Sequence, residues 1–384
     1  MRTLKDFDLK DKRVLMRADL DVPIDEKTGD ITDDFRLKLA VPTIKYVLKK
    51  GAKQLIIMGH MDSPEGKVVE NLKMDKVAAR LMSLVGKSVY KTNDCVDINM
   101  NAIQNEKIVL LENLRFHVEE EKNDDGLAQK LAGYAEVYVN NAFATCHRAH
   151  ASMHAITKYL HGCIGLQVEK ELENLDINKM PKPIIAILGG AKLKTKIPII
   201  QKMLVQADKV LLAGAMIFTF YSAKGLEIGN SLCDNDYLTN AKIMLNNEKL
   251  ILPKDIVIAN PSLDTGIRTV SYDAIPKGVL GLDIGEQSIE QFKQELRNAA
   301  TIIWNGPLGY YEKKPFDKAT ADIAKFMGEL SCHKVVGGGD TADVIHKFGL
   351  DKNFTFISSG GGAALELLSG KELVALQALE ENNK

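Results

Sequence analysis

Two lysines stand one helical turn apart, directly after a pair of glycines, in Gly189-Gly190-Ala191-Lys192-Leu193-Lys194-Thr195-Lys196. On a helix that spacing puts Lys192 and Lys196 on one face, where both can reach a phosphate. The segment is not a P-loop, because G-x-x-x-x-G-K-[ST] fits neither here nor elsewhere in the chain. A solvated basic helix face is the commoner fate of such lysines, and the Gly-Gly at a strand end shifts the balance toward an anion site. Two further glycine clusters carry the same chemistry. Gly337-Gly338-Gly339-Asp340-Thr341 reads as strand, glycine turn and helix start, and Gly360-Gly361-Gly362 follows one strand later. Glycine lets backbone N–H groups approach a ligand, and a helix N-terminus adds about half a positive charge. Asp340 stands where a carboxylate binds Mg²⁺ arriving with a nucleotide; the bland alternative is a helix cap. Trp304-Asn305-Gly306-Pro307-Leu308, with Glu312 beyond it, reads as packing plus a turn or as a nucleotide wall with Glu312 on the ribose.

The first half supplies arginines. Arg17, Arg36, Arg115 and Arg148 stand at strand ends or turns beside Asp19, Asp21, His60, His147 and His150. Guanidinium forks suit phosphate and carboxylate, although a single arginine is more often a surface ion pair. Cys146-His147-Arg148-Ala149-His150 invites a zinc or Cys–His nucleophile reading. No second ligand pair has matching spacing and no orienting partner is visible, so neither is adopted.

These residues need elements to position them. Short β-type runs alternate with amphipathic helical ones, the pattern of a parallel sheet covered by helices. Strands are expected at 13–17, 54–58, 107–111 and 136–139, then at 184–188, 210–213, 256–259, 301–304, 334–336 and 354–357. Leu37, Ala40, Val41, Ile44, Val47 and Leu48 give a helix closed by Gly51, with Pro42 expected to kink it or mark its start. Most strands of the second half end in glycine or proline, at the edge where open parallel sheets bind ligands. A charged helix over 168–178, followed by Pro181 and Pro183, marks a boundary.

Bulk properties narrow the function classes. A length of 384 residues suggests two domains, and 45% hydrophobic with 26% charged residues is ordinary globular composition. A formal net charge of −1 offers no global basic excess for nucleic acid, so none is expected as a partner. Five scattered cysteines without C-x-x-C spacing point to reduced thiols. Acidic residues stand where a signal peptide would be apolar, and no apolar run reaches the ~20 residues of a membrane span. A cytoplasmic protein with no membrane partner is expected.

Taken together, the segments resemble phosphoglycerate kinases nearly end to end. The matching stretches are Arg17-Ala-Asp-Leu-Asp-Val-Pro23, Ile31-Thr-Asp-Asp-Phe-Arg36, Leu111-Glu-Asn-Leu-Arg-Phe-His117, His147-Arg-Ala-His150, Gly189-Gly-Ala-Lys192, Trp304-Asn-Gly-Pro307 and Gly337-Gly-Gly-Asp-Thr341. The resemblance implies an α/β fold of two Rossmann-like domains, each a parallel sheet flanked by helices, joined by a hinge helix. It implies a phosphoglycerate-binding domain over 1–168 with the tail 366–384 packing back on it, a hinge over 169–180, and a nucleotide-binding domain over 181–365. The implied reaction is reversible Mg-dependent phosphoryl transfer between 1,3-bisphosphoglycerate and ADP, giving 3-phosphoglycerate and ATP in glycolysis and gluconeogenesis, by a monomer. Asp19, Asp21, Arg36, His60, Ser63, Arg115 and Arg148 would hold the acid. Lys192, Lys196, Gly214, Asn305, Pro307, Leu308, Glu312, Gly337, Gly338, Gly339, Asp340 and Thr341 would hold ADP or ATP, with Asp340 on the magnesium. Arg36, Lys192, Gly339 and Gly362 would act at the transfer itself.

The chain departs from the family pattern at motif centres. Asp21 stands for a usual asparagine, Ser63 for an arginine, Asn141 for an aspartate, and Lys194-Thr195 for a small residue and an aspartate. These changes motivate an alternative reading, a catalytically altered relative that binds nucleotide but has a modified acid site. A Rossmann dehydrogenase is excluded, because no G-x-G-x-x-G stands at the first strand–helix turn.

Overall fold

The computed structural model describes residues 1–25 and 27–382. The chain divides into two units, Met1–Glu173 with the segment from Glu372, and Asn174–Lys371.

The sheet of the first unit holds β1 (Arg13–Ala18), β2 (Gln54–Met58), β3 (Tyr90–Lys91), β4 (Ile108–Leu110), β5 (Val137–Asn141) and β6 (Gly162–Ile164). They are parallel, in the order β3-β4-β2-β1-β5-β6. Runs such as Gln54–Met58 are buried along their whole length, as expected where helices cover both faces of a parallel sheet. Each buried Val, Ile or Leu contributes about 1.5–3 kcal/mol relative to exposure. The helix Phe35–Lys49 turns Leu37, Ala40, Ile44 and Val47 to that core. It starts at Phe35 and runs through Pro42, so the expectation that Pro42 marks its start is corrected. Burial of the apolar face outweighs the single backbone hydrogen bond that proline removes. The segment from Glu372 joins this unit through the helix Val374–Glu381, where Ala375 N–H donates to the Cys146 carbonyl at 3.1 Å.

In the second unit β7 (Ile184–Leu188), β8 (Lys209–Leu212), β9 (Leu250–Ile251), β13 (Thr301–Asn305), β14 (His333–Gly337) and β15 (Phe356–Ile357) form a second parallel sheet, ordered β15-β14-β13-β7-β8-β9. A smaller antiparallel sheet, β11 (Arg268–Ser271), β10 (Asp255–Ala259) and β12 (Leu280–Ile284), is legible in the sequence only at its central strand. The charged helix expected over 168–178 is the helix Leu166–Leu175, and a separate 3₁₀ turn follows at Ile177–Lys179. Asp176 breaks it, because its side chain accepts from the Asn178 N–H instead of continuing the ladder. No helix among the described residues is long and apolar enough to cross a membrane.

Candidate functional site

In the second unit the turns after β7, β8 and β13 are tied together through their backbones. Gly189 N–H donates to the Asn305 carbonyl at 2.9 Å, Gly190 N–H to Pro307 at 3.0 Å, and Gly214 N–H to Leu308 at 2.9 Å. Side chains are excluded there. A Cβ on Gly189 would lie 2.0 Å from the Pro307 carbonyl oxygen, and Gly214 combines φ +72° with a Cβ position 2.5 Å from Gly190 N. Beside these turns opens a cavity of about 480 Å³, lined by Gly214, Pro307, Leu308, Glu312 and Asp340 among the expected residues. That volume lies within the ordinary range for small-molecule sites. Its apolar walls, Phe218, Leu232, Leu280 and Leu282, escape a reading of the sequence alone. Two of them lie on β12, an edge strand whose role depends on a pairing that local pattern does not show.

The two lysines occupy different environments. Lys192 is exposed and is the N-cap residue of the helix Leu193–Gln206, with extended backbone. Lys196 is partly buried, its ammonium donating in a short contact to Asn305 Oδ1. Burial pushes the Lys196 ammonium down to about 8, and Asp340 partly opposes the shift. The helix start is held by a carboxylate from elsewhere: Asp234 Oδ2 accepts from Leu193 N–H at 2.6 Å and Lys194 N–H at 3.2 Å. Thr195, standing for the family's aspartate, turns its hydroxyl to the Lys192 carbonyl at 3.1 Å. Asp234 thus supplies the negative charge that this helix N-terminus favours.

A protonated Lys196 loses charge as pH rises through about 8, whereas a bound phosphate would hold the proton on. Mg-ADP binding near pH 8 is therefore expected to take up protons, and the affinity to fall above it. Calorimetry in buffers of different ionisation enthalpy checks this. Zero uptake, or equal uptake by Lys196→Arg, contradicts it.

The later glycine turns adjoin one another, with a Cβ on Gly361 only 3.5 Å from Gly339 N. Gly337 closes β14, Gly338 is the N-cap at φ +100°, and Gly339 opens the helix Gly339–Lys347 with Asp340 in its first turn. Gly362 lies exposed in the first turn of the helix Gly361–Leu368. Asn305 bridges from β13, donating from Nδ2 to the Gly337 carbonyl at 2.7 Å, and Thr341 Oγ1 accepts from Gly306 N–H at 2.7 Å. Asn305 and Thr341 are thereby placed as backbone ties beside the cavity rather than in its wall.

In the first unit the candidate residues gather beyond the carboxyl ends of β1, β2, β4 and β5. Asp19 is buried and accepts from Ala144 N–H at 2.9 Å and the Thr145 hydroxyl at 3.2 Å. Burial raises its pKa, against the pull of Arg17 and Arg36. Asp21 faces Arg36 Nη1 at 3.2 Å from Oδ2 and accepts the Asp62 N–H at 2.8 Å, while Arg36 also donates to the Asp21 carbonyl at 2.6 Å. His60 Nε2 lies 3.9 Å from Asp21 Oδ2. Burial holds its pKa well below the usual imidazole value, and the neighbouring Arg17 and Arg115 add to the effect. Arg115 Nη1 donates to the Asp62 carbonyl at 2.7 Å and to Ser63 Oγ at 3.3 Å. Arg148 is exposed, 3.4 Å from the His147 Nε2, and near enough to Arg115 to repel its charge. Arg17, by contrast, is wholly buried with His60 Nδ1 2.7 Å from its Nη2, a position that no local sequence signal separates from the other arginines. The Cys146 thiol is buried, and burial followed by the Asp19 charge pushes its pKa up, so it is unsuited to be a nucleophile.

Such a set, basic groups at one sheet edge and glycine turns around a cavity at another, has known counterparts. The family model described as phosphoglycerate kinase matches residues 4–371. The chain belongs to the phosphoglycerate kinase family. It is 44% identical over 396 residues to the phosphoglycerate kinase of Synechococcus sp. (strain CC9605), covering 99% of this chain and 98% of that one. It is 45% identical over 390 residues to that of Thermosynechococcus vestitus, covering 97% of each. The solved phosphoglycerate kinase of Coxiella burnetii has a TM-score of 0.88 at 33% identity, with 100% of both chains covered. That of Pyrococcus horikoshii OT3 has a TM-score of 0.85 at 29% identity, covering 100% of this chain and 99% of that one. Membership makes the chain a phosphotransferase with a carboxyl group as acceptor, and nothing in these likenesses supports the altered binding protein.

The departures from the phosphoglycerate kinase pattern have structural consequences. Ser63 offers Arg115 an acceptor where an arginine would add charge. Asn141 Oδ1 accepts from the Thr43 hydroxyl at 2.8 Å and Gln167 N–H at 3.1 Å, leaving its buried Nδ2 without a hydrogen-bond partner among the described residues. Asp21 is the most consequential, because its carboxylate already neutralises Arg36. Asp21→Asn keeps an acceptor for the Asp62 N–H and removes one anion from the arginine cluster. A fall in the KM for 3-phosphoglycerate of about five- to tenfold, roughly 1–1.4 kcal/mol, is expected in steady-state assays. An unchanged or higher KM would contradict that role.

Proposed function

We propose that the chain catalyses reversible Mg-dependent phosphoryl transfer between 1,3-bisphosphoglycerate and ADP, its first unit taking the phosphoglycerate and its second the nucleotide. The observation that carries the division is the set of backbone-tied glycine turns beside a 480 Å³ cavity, with the Asp340 carboxylate in its lining and the partly buried Lys196 bonded to Asn305 of the same turns. Pro307, Leu308 and the apolar wall would take the base and sugar, with Glu312 accepting from ribose hydroxyls. Lys196 and the N–H groups of Gly337, Gly338 and Gly339 would hold the phosphates. Asp340 fits the magnesium: it is exposed at the cavity, and no hydrogen bond or salt bridge claims its carboxylate among the described residues. An oxygen donor of that kind, with phosphate oxygens and water, is what Mg²⁺ takes, and the ion would spread charge over the phosphates.

In the transfer, a terminal oxygen of ADP attacks the acyl-phosphate phosphorus as its bond to the carboxyl oxygen breaks, and 3-phosphoglycerate leaves as the carboxylate. No protein atom becomes bonded and no proton needs to move, so the residues contribute alignment and charge neutralisation. Arg36, Arg115, Arg148, His60 and Asp19 would orient the acid. Exposed Lys192, with Arg36, would meet the charge on the equatorial oxygens. Closure about the 169–180 segment would exclude water from an acyl phosphate that it readily hydrolyses. A cytoplasmic location agrees with five free cysteine thiols, and the chain would act there as a monomer. The test is ATP formation by purified protein from 1,3-bisphosphoglycerate and Mg-ADP, and no rate above a Lys192→Ala control at millimolar substrate would refute the proposal.

A further inference from the structure

Behind His60 the first unit contains a buried polar chain, Glu120, Ser152 and Arg17, that the reaction scheme leaves without a task. Glu120, in the short helix Val118–Glu121, and Ser152 are both fully buried. Glu120 Oε2 accepts from Ser152 N–H at 2.9 Å, and Oε1 accepts from the Ser152 hydroxyl at 2.6 Å. A serine hydroxyl has one proton. With that proton on Glu120, its oxygen is left to accept, and Arg17 Nε donates to it at 3.1 Å. Arg17 Nη1 donates to the Ala18 carbonyl at 2.5 Å, and Nη2 lies 2.7 Å from His60 Nδ1.

The direction of every link follows from the donor inventory. A guanidinium only donates, so His60 Nδ1 must be the acceptor. A neutral imidazole that accepts at Nδ1 carries its proton on Nε2. That nitrogen faces Asp21 Oδ2 at 3.9 Å, and Arg36, Arg115 and His150 are the other ionisable groups acting on the ring. None of the three arginines can accept its proton. His150 is itself held neutral, its pKa lowered to about 3 by burial and the neighbouring arginines, and its Nδ1 stands 3.8 Å from Glu120. No lysine or arginine bonds Glu120 directly among the described residues, so its compensation runs through Ser152 to Arg17.

We propose that Glu120 and Ser152 are positioning residues that act through Arg17 to hold His60 as the Nε2–H tautomer, a fixed hydrogen-bond donor toward an anionic ligand. The assignment of that ligand as the phosphoglycerate rests on the proposed function; the tautomer does not. Glu120→Gln keeps the shape but turns one acceptor into a donor against Ser152. Ser152→Ala removes the hydroxyl that links Glu120 to Arg17 Nε among the described residues.

The experiment is long-range ¹H–¹⁵N spectroscopy of the ¹⁵N-histidine full chain, with His60→Asn to assign the ring, joined to steady-state kinetics. His60 of the parent protein is expected to be protonated at Nε2 alone at neutral pH. Glu120→Gln and Ser152→Ala are expected to show Nδ1 protonation. Their KM for 3-phosphoglycerate should rise about fivefold while kcat stays within about twofold. Protonation at Nδ1 in the parent protein overturns the proposal without any variant having to fold. So does an unchanged tautomer in a variant with native near-ultraviolet circular dichroism. A shifted tautomer with unchanged KM supports the relay and removes His60 from the acid site instead.

Discussion

Lys192→Ala is expected to lower kcat for ATP formation about a thousandfold, the scale on which deleting one charge that meets a phosphoryl transition state acts. The structure shows why the loss should fall on the reaction and not on the fold. Lys192 is an exposed N-cap residue, with no hydrogen bond from its side chain to the helix end, so its loss should leave the fold intact. The helix start is secured by Asp234 through Leu193 and Lys194, and neither bond involves the lysine side chain. Mg-ADP affinity should change less than about threefold, because Lys196 and the glycine turns remain. Single-turnover kinetics and calorimetry separate the two quantities. A kcat within tenfold of the parent would place the transfer charge elsewhere.

Gly189→Ala should act on stability instead, and severely. The added Cβ would meet the Pro307 carbonyl oxygen at 2.0 Å and the Gly306 carbonyl oxygen at 2.6 Å, both backbone atoms that cannot rotate aside. The Gly189–Asn305 and Gly190–Pro307 hydrogen bonds would be forced open with them. A cost of about 3 kcal/mol follows, which lowers the Tm of a unit this size by about 6–12 °C. Gly339→Ala is the control, since nothing lies within 4 Å of its Cβ position and its Tm should stay within a few degrees. Scanning calorimetry reads both. A stable Gly189→Ala protein with Mg-ADP still bound would mean that the site does not depend on the close backbone approach of the three turns.

Much of this arrangement is legible in the order of residues. Runs such as Ile184–Leu188 are apolar throughout because both faces of a parallel sheet are covered, and their burial in every position follows from that. Glycines at the strand ends announce close backbone approach, and the distances at Gly189 and Gly214 show how close. The short strands are not legible. Tyr90–Lys91 and Leu250–Ile251 are two residues each, too brief for any period, and exist only because a neighbouring strand presents its edge. The apolar side of the cavity is hidden for the same reason, since β12 acquires its place by pairing with β10.

By itself, the sequence determined the α/β class, the repeated glycine-ended strands, the family, and the identity of the basic residues, since these depend on local composition and order. The tertiary structure decided what those residues experience. It draws Lys196 partly out of water and leaves Lys192 in it, although they stand one helical turn apart. It brings Asp234 to the start of that helix, and sets Asp21 against Arg36. It also runs Glu120, Ser152, Arg17 and His60 into one chain from distant parts of the unit. Charge, tautomer and partner are properties of three-dimensional neighbours and of lost water, and neither is written in the order of residues.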